Sequence, residues 1–145
     1  MSMEKAVRAS GGCHCGAVRF EVRGPLRDVL VCHCGDCRRV HGHVAAHSAC
    51  RWPELVLTRE DGLKWYASSA RARRAFCSDC GSGLFYDLHG RDIVSICAGA
   101  LDQPTGVRTA MHVFAGSAAD YEQDEAAAPR HDGLPKLGDT VVFRP

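Results

Sequence analysis

Apolar and polar residues alternate in several short stretches of this chain, in the pattern of strands with one buried face. In residues 17–22, Val18, Phe20 and Val22 fall on one side and charged residues on the other. The same pattern predicts further strands over residues 26–31, 54–58, 64–67, 74–76, 83–87, 93–98 and 111–115. Turns that contain glycine or proline separate these stretches. Many short strands at this spacing predict a mainly β domain, an antiparallel sandwich or small barrel.

Helix is scarce in this pattern. Residues 36–41 predict a single helical turn, and the segment 117–128, rich in Ala, Asp and Glu, predicts either a short helix or irregular chain. The chain has 145 residues, which is enough for one domain, since roughly 100–200 residues per domain is usual. We therefore expect one mainly β unit with an extended C-terminal segment.

The charge of the chain is nearly balanced, which argues against some classes of partner. There are 18 Lys and Arg residues against 17 Asp and Glu residues, for a net charge of +1. Binding to nucleic acid or to an anionic membrane through bulk electrostatics is therefore not expected. The first ten residues lack the apolar core of an export signal, and no stretch approaches the ~20 apolar residues of a membrane helix. We expect a cytoplasmic protein with no membrane partner.

Cysteine is the unusual component of the composition. There are nine cysteines, an odd number that excludes complete internal disulfide pairing. In a reducing compartment, cysteines at short spacings indicate metal binding or redox chemistry. Seven of them form a C-x-C, a C-x-C-x-x-C and a C-x-x-C motif: Cys13 and Cys15; Cys32, Cys34 and Cys37; Cys77 and Cys80. Cys50 and Cys97 stand alone and are predicted to be buried thiols.

The motifs supply one complete and one incomplete set of zinc ligands. Zinc takes four tetrahedral ligands in a structural site, and three protein ligands plus an open position in a catalytic site. The first and third motifs together give four thiolates for a structural zinc: Cys13, Cys15, Cys77 and Cys80. The middle motif then leaves three for a catalytic zinc: Cys32, Cys34 and Cys37. We therefore predict two zinc ions per chain.

Ligand chemistry alone leaves three alternatives open at the middle motif. A fourth ligand would close the site and make it structural, and five donors lie close in the sequence: His33, His41, His43, His47 and Cys50. The spacing also permits a zinc ribbon that joins the C-x-x-C of the middle motif to Cys77 and Cys80. Cys34 and Cys37 would in addition suit a redox pair, although the βαβ context of such pairs is missing from the pattern.

Several ordered motifs resemble those of a known family. They include the opening Gly12-Cys13-His14-Cys15-Gly16, the metal loop Cys32-His33-Cys34-Gly35-Asp36-Cys37-Arg38-Arg39, and the loop Cys77-Ser78-Asp79-Cys80-Gly81. The pattern is similar to that of the glutathione-dependent formaldehyde-activating enzyme family, which also includes centromere protein V. The similarity divides the chain into an N-terminal extension (1–10), a zinc domain (11–137) and a C-terminal tail (138–145).

The resemblance implies a mainly β zinc fold related to that of methionine sulfoxide reductase B, with two zinc sites. It assigns Cys32, Cys34 and Cys37 to the catalytic zinc and the other two motifs to the structural zinc. In the namesake enzyme, glutathione and formaldehyde combine to S-hydroxymethylglutathione, a reaction classed as a carbon–sulfur lyase in its reverse sense. We therefore expect a zinc-dependent lyase whose substrates are a small-molecule thiol such as glutathione and a small aldehyde such as formaldehyde.

Arginines near the metal motifs are candidates for holding the carboxylates of such a thiol. Arginine pairs with carboxylates through two parallel hydrogen bonds. Five arginines flank the motifs: Arg38, Arg39, Arg71, Arg73 and Arg74. Arg38 and Arg39 directly follow the middle motif and are the preferred substrate-binding candidates, with an ordinary solvated surface as the competing interpretation.

Two other classes of function stay open. A non-catalytic zinc-binding interaction module would use zinc only for architecture, but the chain lacks the basic or low-complexity tail that would bind nucleic acid. A thiol redox or metal-handling protein would form a Cys34–Cys37 disulfide under mild oxidant. The chain also departs from the family pattern in the His-rich residues 40–50 and in the segment 122–130, which looks longer than usual. A His43 or His47 side chain that reached the zinc would close its open position, whereas the segment 122–130, with residues 118–121 before it, bears on the wall of the substrate pocket.

Overall fold

The computed structural model describes residues 4–137 and 142–145. Within them the chain forms ten strands: β1 (Ala9–Gly12), β2 (Val18–Val22), β3 (Val29–Cys32), β4 (Ala45–Arg51), β5 (Leu55–Glu60), β6 (Leu63–Ala67), β7 (Ala72–Cys77), β8 (Gly83–Leu88), β9 (Ile93–Cys97) and β10 (Thr109–Val113). One α-helix, α1, spans Gly35–His41. Short 3₁₀ turns cover Trp52–Glu54, Ala98–Ala100, Ala115–Ser117, Asp120–Glu122 and Glu125–Ala127. The prediction of a mainly β chain with little helix is confirmed.

The strands form two open sheets. The smaller sheet has the order β1-β2-β5, and the larger has the order β10-β3-β4-β9-β8-β7-β6. The two sheets meet through Phe20 of β2 and Phe85 of β8, whose ring centroids lie 5.2 Å apart in an edge-to-face arrangement. This aromatic contact sits in the main buried cluster, beside the fully buried Val18, Leu84 and Ile96. The core therefore lies between the alternating apolar faces that the sequence pattern predicted.

One strand pair corrects the prediction of a purely antiparallel arrangement. β10 runs parallel to β3 and forms the edge of the larger sheet. Antiparallel pairing follows naturally from short hairpins, whereas a parallel pair needs a long connection between its strands. Here most of the domain separates the two strands in the sequence, so local turn signals carry no information about their pairing.

The alternation pattern did not predict β1 and β4, because these two strands carry small or polar residues in place of large apolar ones. β1 has the sequence ASGG, with no large side chain to mark a buried face. β4 has the sequence AAHSACR and yet lies between β3 and β9 with most of its residues buried. Small residues fit there because β3 and β9 flank β4 on both edges and α1 also contacts it. β4 therefore brings the His-rich stretch of the sequence into the middle of the larger sheet.

The helical prediction is confirmed, and so is the irregular alternative for the later segment. The Cys34 sulfur accepts a hydrogen bond from the backbone N–H of Cys37 at the start of α1, and Gly42 ends the helix in the left-handed region at φ 79°. Residues 115–127 form only isolated 3₁₀ turns. In the described part of the chain, no helix has the length and apolar character needed to cross a membrane.

The predicted domain boundaries remain predictions. Strand β1 begins at Ala9, inside the stretch assigned to the N-terminal extension. Residues 138–141 of the predicted C-terminal tail, like residues 1–3, lie outside the described residues. The relation to methionine sulfoxide reductase B likewise stays an expectation of the resemblance.

Candidate metal and thiol site

Four of the predicted ligands meet where the loop before β2 approaches the end of β7. The side chains of Cys13, Cys15, Cys77 and Cys80 form one group whose sulfur atoms all lie within 4.8 Å of one another. The Sγ atom of Cys15 lies 3.7 Å from that of Cys13 and 3.8 Å from that of Cys77. A tetrahedral zinc with Zn–S bonds of about 2.3 Å would set its sulfurs roughly 3.8 Å apart. The spacing of these thiols therefore fits a zinc ion.

The electrostatics of this group also favour a cation. Hydrogen bonds from the side chain and backbone of Ser82 lower the pKa of Cys80 to about 5. The backbone N–H of Ala17 works to lower the pKa of Cys15, but burial and the neighbouring thiols raise it to about 12. Cys80 therefore ionises easily, and its negative charge then opposes ionisation of the neighbouring thiols. All four become thiolates at neutral pH only when a cation compensates their charge.

A glycine follows Cys80 in a tight turn at the end of β7. Gly81 adopts φ +80°, in the left-handed region that residues with a Cβ rarely occupy. The backbone N–H of Gly81 donates to the Cys77 carbonyl, and that of Cys77 donates to the Ser82 carbonyl. This tight turn places Cys80 beside the buried end of β7.

The middle motif forms a second group at the junction of β3 and α1. Cys32 ends β3, Cys34 precedes the helix, and Cys37 lies in its first turn, so that the three sulfurs lie within 4.8 Å of one another. Burial works to raise the pKa of Cys34, but hydrogen bonds from the Cys37 backbone and the two neighbouring thiols lower it overall. Burial and Cys34 raise the pKa of Cys37 to about 12. This group, too, needs a cation to become fully ionised, and its donors suit zinc.

None of the five donors that could have closed the second group joins it among the described residues. His33 points away, with Nδ1 2.6 Å from Glu122 and Nε2 2.8 Å from His112. The ring of His43 faces Tyr121, at 2.8 Å from its hydroxyl. Cys50 is buried in the core, and the two remaining histidines, His41 and His47, form another group with Cys97. The zinc ribbon alternative also fails geometrically, since Cys77 and Cys80 lie with the first motif.

A cavity of about 350 Å³ opens over the three thiols. Its lining includes two arginines, one tyrosine and one histidine, at positions Arg74, Arg91, Tyr86 and His47. The aromatic side chain of Phe114 also reaches the cavity and is largely exposed. Phe114 holds a left-handed backbone at φ 54°, which is uncommon for a residue other than glycine and is often found at functional sites.

Arg74 is the arginine that contacts the thiol group, although sequence reasoning preferred two others. Its side chain is buried on β7, and its Nη2 lies 3.7 Å from the Cys37 sulfur. The guanidinium also stacks over the Tyr86 ring at 4.9 Å, and its Nε has no hydrogen-bond partner in the described structure. The sequence signal that could have identified Arg74 as a site residue is its position on the inward-facing side of a predicted strand. A buried guanidinium with spare hydrogen-bonding capacity beside a cavity is suited to binding an anion.

Arg38 and Arg39, the preferred candidates from the sequence, lie at the exposed side of α1. Arg38 donates from Nη1 to the Ser117 carbonyl at 3.0 Å. The side chain of Arg39 is exposed, and neither residue is among those that line the cavity in the described structure. Their role in substrate binding therefore stays a hypothesis.

Side chains of α1 and of the residues on either side of it contact the segment 115–127 and hold it against the loop that carries the middle motif. Glu122 accepts a hydrogen bond from the Ala119 backbone N–H and contacts His33, which stands between two of the thiols in the sequence. The pKa of Glu122 is lowered mainly by the Ala119 N–H and also by His33. The carboxylate form therefore predominates at neutral pH, and the tie is lost only as the pH falls through this lowered pKa.

Replacing Glu122 with alanine is expected to loosen this segment. The buried carboxylate is the acceptor that holds His33 and the Ala119 turn together, so its loss frees both partners. Hydrogen–deuterium exchange should become faster across residues 115–127, and Glu125→Ala, which removes a more exposed carboxylate, should leave it nearly unchanged. Equal exchange in Glu122→Ala and the wild type would contradict this role.

Comparisons with known proteins identify a family and two curated relatives. A family model described as glutathione-dependent formaldehyde-activating enzyme matches residues 8–117. A Halomonas elongata protein named after this enzyme family is 32% identical over 111 residues, which cover 63% of this chain and 64% of that protein. An uncharacterized lyase of Schizosaccharomyces pombe is 32% identical over 76 residues, covering 52% of this chain and 55% of that protein. The chain thus spans less than two thirds of the length of these curated relatives.

A solved structure is also similar. The crystal structure of a Rhodobacter sphaeroides protein matches with a TM-score of 0.57 and 26% sequence identity. The match covers 71% of this chain and 98% of that chain. The two chains therefore share a fold over nearly the whole length of the Rhodobacter sphaeroides protein.

Proposed function

Because the chain belongs to the glutathione-dependent formaldehyde-activating enzyme family, we propose that it is a zinc-dependent carbon–sulfur lyase. Its reaction joins a small-molecule thiol such as glutathione to a small aldehyde such as formaldehyde, or releases the two again. When the carbon–sulfur bond forms, the thiol loses its proton and the aldehyde oxygen gains one. The family description and the relative named as a lyase support this class of reaction.

The observation that carries the proposal is the incomplete ligand set beneath an open cavity. Cys32, Cys34 and Cys37 converge, and no fourth protein ligand joins them among the described residues. When bound there, zinc supplies a position at which a substrate thiol loses its proton and becomes nucleophilic at neutral pH. The four-cysteine group holds the second zinc in this proposal, with a structural role.

The residues around the cavity account for substrate binding. Arg74 and Arg91 place two positive charges in the lining, where they attract the carboxylates of a thiol such as glutathione. The same charges favour the negative charge that develops on the aldehyde oxygen during addition. The cavity volume of about 350 Å³ is near the lower end for ligand pockets, roughly 300–1,000 Å³, which favours a small aldehyde.

The direct test is an activity assay with purified protein. We expect the chain to accelerate exchange between free formaldehyde and its glutathione adduct. The exchange rate is measured by NMR magnetisation transfer. Repeating the assay with other small aldehydes in place of formaldehyde, and with thiols that lack carboxylates in place of glutathione, would define the substrate class. A purified, zinc-loaded chain that accelerates exchange with none of these pairs would contradict the proposal.

Arg74→Gln is expected to reduce kcat/KM by about 10- to 100-fold, the range typical for residues that support metal ligands. The variant removes the charge that faces Cys37 and the cavity while keeping a side chain of similar length. Its effect with glutathione should be compared with that on 2-mercaptoethanol, which has no carboxylate. A loss confined to glutathione identifies Arg74 as a carboxylate anchor, and an equal loss with both thiols identifies it as a positioning residue for Cys37.

Arg39→Gln is the matched control for this variant. Its guanidinium is exposed and lies outside the cavity lining, so we expect kcat/KM to stay within about twofold of the wild type. A large loss in Arg39→Gln with little change in Arg74→Gln would instead favour the anchors preferred from the sequence.

A further inference from the structure

A third group of metal-ligating side chains lies apart from the two cysteine motifs. His41 is the last residue of α1, His47 lies on β4, and Cys97 ends β9. His47 and Cys97 are register partners in the antiparallel β4–β9 pair, and the helix brings His41 above them. One ligand atom from each residue lies within 4.8 Å of the other two. The proposed lyase reaction uses none of the three as a metal ligand.

The spacing of these atoms suits a tetrahedral cation. The Cys97 sulfur lies 3.6 Å from Nε2 of His47. With metal–nitrogen bonds of about 2.05 Å and metal–sulfur bonds of about 2.3 Å, a tetrahedral ion would set these two atoms roughly 3.6 Å apart. Nε2 of His41 lies 3.5 Å from Nη1 of Arg74, and its Nδ1 lies beside Gly83, as the Cys97 sulfur does.

The exposed Gly83 lies beside the group. A Cβ built on Gly83 would lie 3.4 Å from Nδ1 of His41 and 3.5 Å from the Cys97 sulfur. The absence of a side chain there leaves space beside both ligand atoms. His41, Gly83 and Cys97 also line a cavity of about 470 Å³, distinct from the one above the middle motif. An ion can therefore enter, and a water molecule can complete its coordination.

The surroundings keep both imidazoles in the neutral form that binds metals. Burial, together with neighbouring positive groups, lowers the pKa of His47 to about 3 and lowers that of His41. Of the two nearby arginines, Arg27 donates to the His47 carbonyl at 3.0 Å, and Arg74 directs its Nη2 to Cys37, where a thiolate would offset its charge. Burial raises the pKa of Cys97 to about 12, so the bound cation has to displace the thiol proton.

We propose that His41, His47 and Cys97 form a third metal site, which binds one borderline-soft divalent cation of the zinc and cobalt type. Two imidazoles and one thiolate suit such ions. With a single thiolate, this site binds more weakly than either cysteine group and fills only when the cation is added. His47 also lines the cavity above the middle motif, so the third site adjoins the wall of the proposed substrate pocket.

Cobalt added to the zinc-loaded full chain provides the test. We expect one additional equivalent of Co²⁺ to bind, with visible absorption of a four-coordinate ion and a near-ultraviolet sulfur-to-cobalt band, while bound zinc stays constant. Cys97→Ser should lose the sulfur band and the additional equivalent. His41→Gln, at the half-buried end of the helix, removes a different ligand and should lose the equivalent as well.

Cys50→Ser is the control, because Cys50 is a buried thiol that belongs to none of the groups. It should retain the cobalt bands, as should Cys34→Ser, so that failure of the third site is distinguishable from failure of the proposed lyase site. Absence of the bands in the wild type, their persistence in Cys97→Ser, or cobalt uptake matched by zinc release would overturn the third site.

Discussion

Replacement of Cys34 by serine is expected to abolish the proposed lyase activity while leaving the fold intact. The Cys34 sulfur is one of only three thiols in the middle group, and it is the one whose pKa is lowered by donors from the Cys37 backbone and the neighbouring thiols. Losing it leaves two ligands and weakens metal binding. Because metal stabilisation of charge is worth several kcal/mol, kcat/KM should fall by about 10³-fold or more.

The variant should also lose one zinc ion while keeping the other, as measured by elemental analysis. Circular dichroism should match the wild type, since Cys34 lies outside the buried cluster between the sheets. Cys50→Ser, which removes a buried thiol outside the metal groups, should keep both zinc and activity. Full activity in Cys34→Ser would contradict the three-thiol site.

Replacement of Cys77 by serine is expected to destabilise the whole domain. Cys77 is fully buried at the end of β7, and its sulfur lies 3.8 Å from that of Cys15 in the loop before β2. The group thus connects the smaller sheet to the larger one. Structural zinc contributes about 10–16 kcal/mol in zinc-finger peptides, so one of four ligands accounts for roughly 2.5–4 kcal/mol. At about 2–4 °C per kcal/mol, Tm should fall by about 10 °C.

Thermal unfolding with and without a strong chelator separates loss of the metal from loss of packing. The chelator should lower the Tm of the wild type and of Cys50→Ser substantially, and that of Cys77→Ser only slightly. Cys50→Ser alone reports the cost of placing a hydroxyl at a buried cysteine position. If Cys77→Ser and Cys50→Ser lose the same stability, and the chelator changes neither, the four-cysteine group does not hold a structural metal.

Much of this architecture follows from local sequence signals. Alternation at residues 18–22 located β2 and the core position of Phe20, and short cysteine spacings indicated which thiols would converge. Such signals work because period-two patterns and short loops determine nearby geometry directly. The parallel β3–β10 pair depends on contacts between distant segments, and so it could not be inferred from turns.

The convergence of the cysteines was predictable from their spacing, but the lining of the cavity was not. Arg74 and Tyr86 reach the cavity because the register of β7 and β8 turns both side chains to one face. The sequence favoured Arg38 only through its proximity to Cys37 along the chain, whereas the helix directs that side chain to the Ser117 carbonyl. Similarly, His47 and Cys97 are 50 residues apart and meet only through strand pairing. Long-range register, rather than motif spacing, decides these positions.

Native mass spectrometry of the purified chain, with and without glutathione, tests the central claim most directly. After exchange into buffer with a weak chelator, the account predicts two retained zinc ions and a glutathione adduct that Cys34→Ser loses. Retention of a single zinc, with no adduct in the wild type, would contradict an open three-thiol site at Cys32, Cys34 and Cys37.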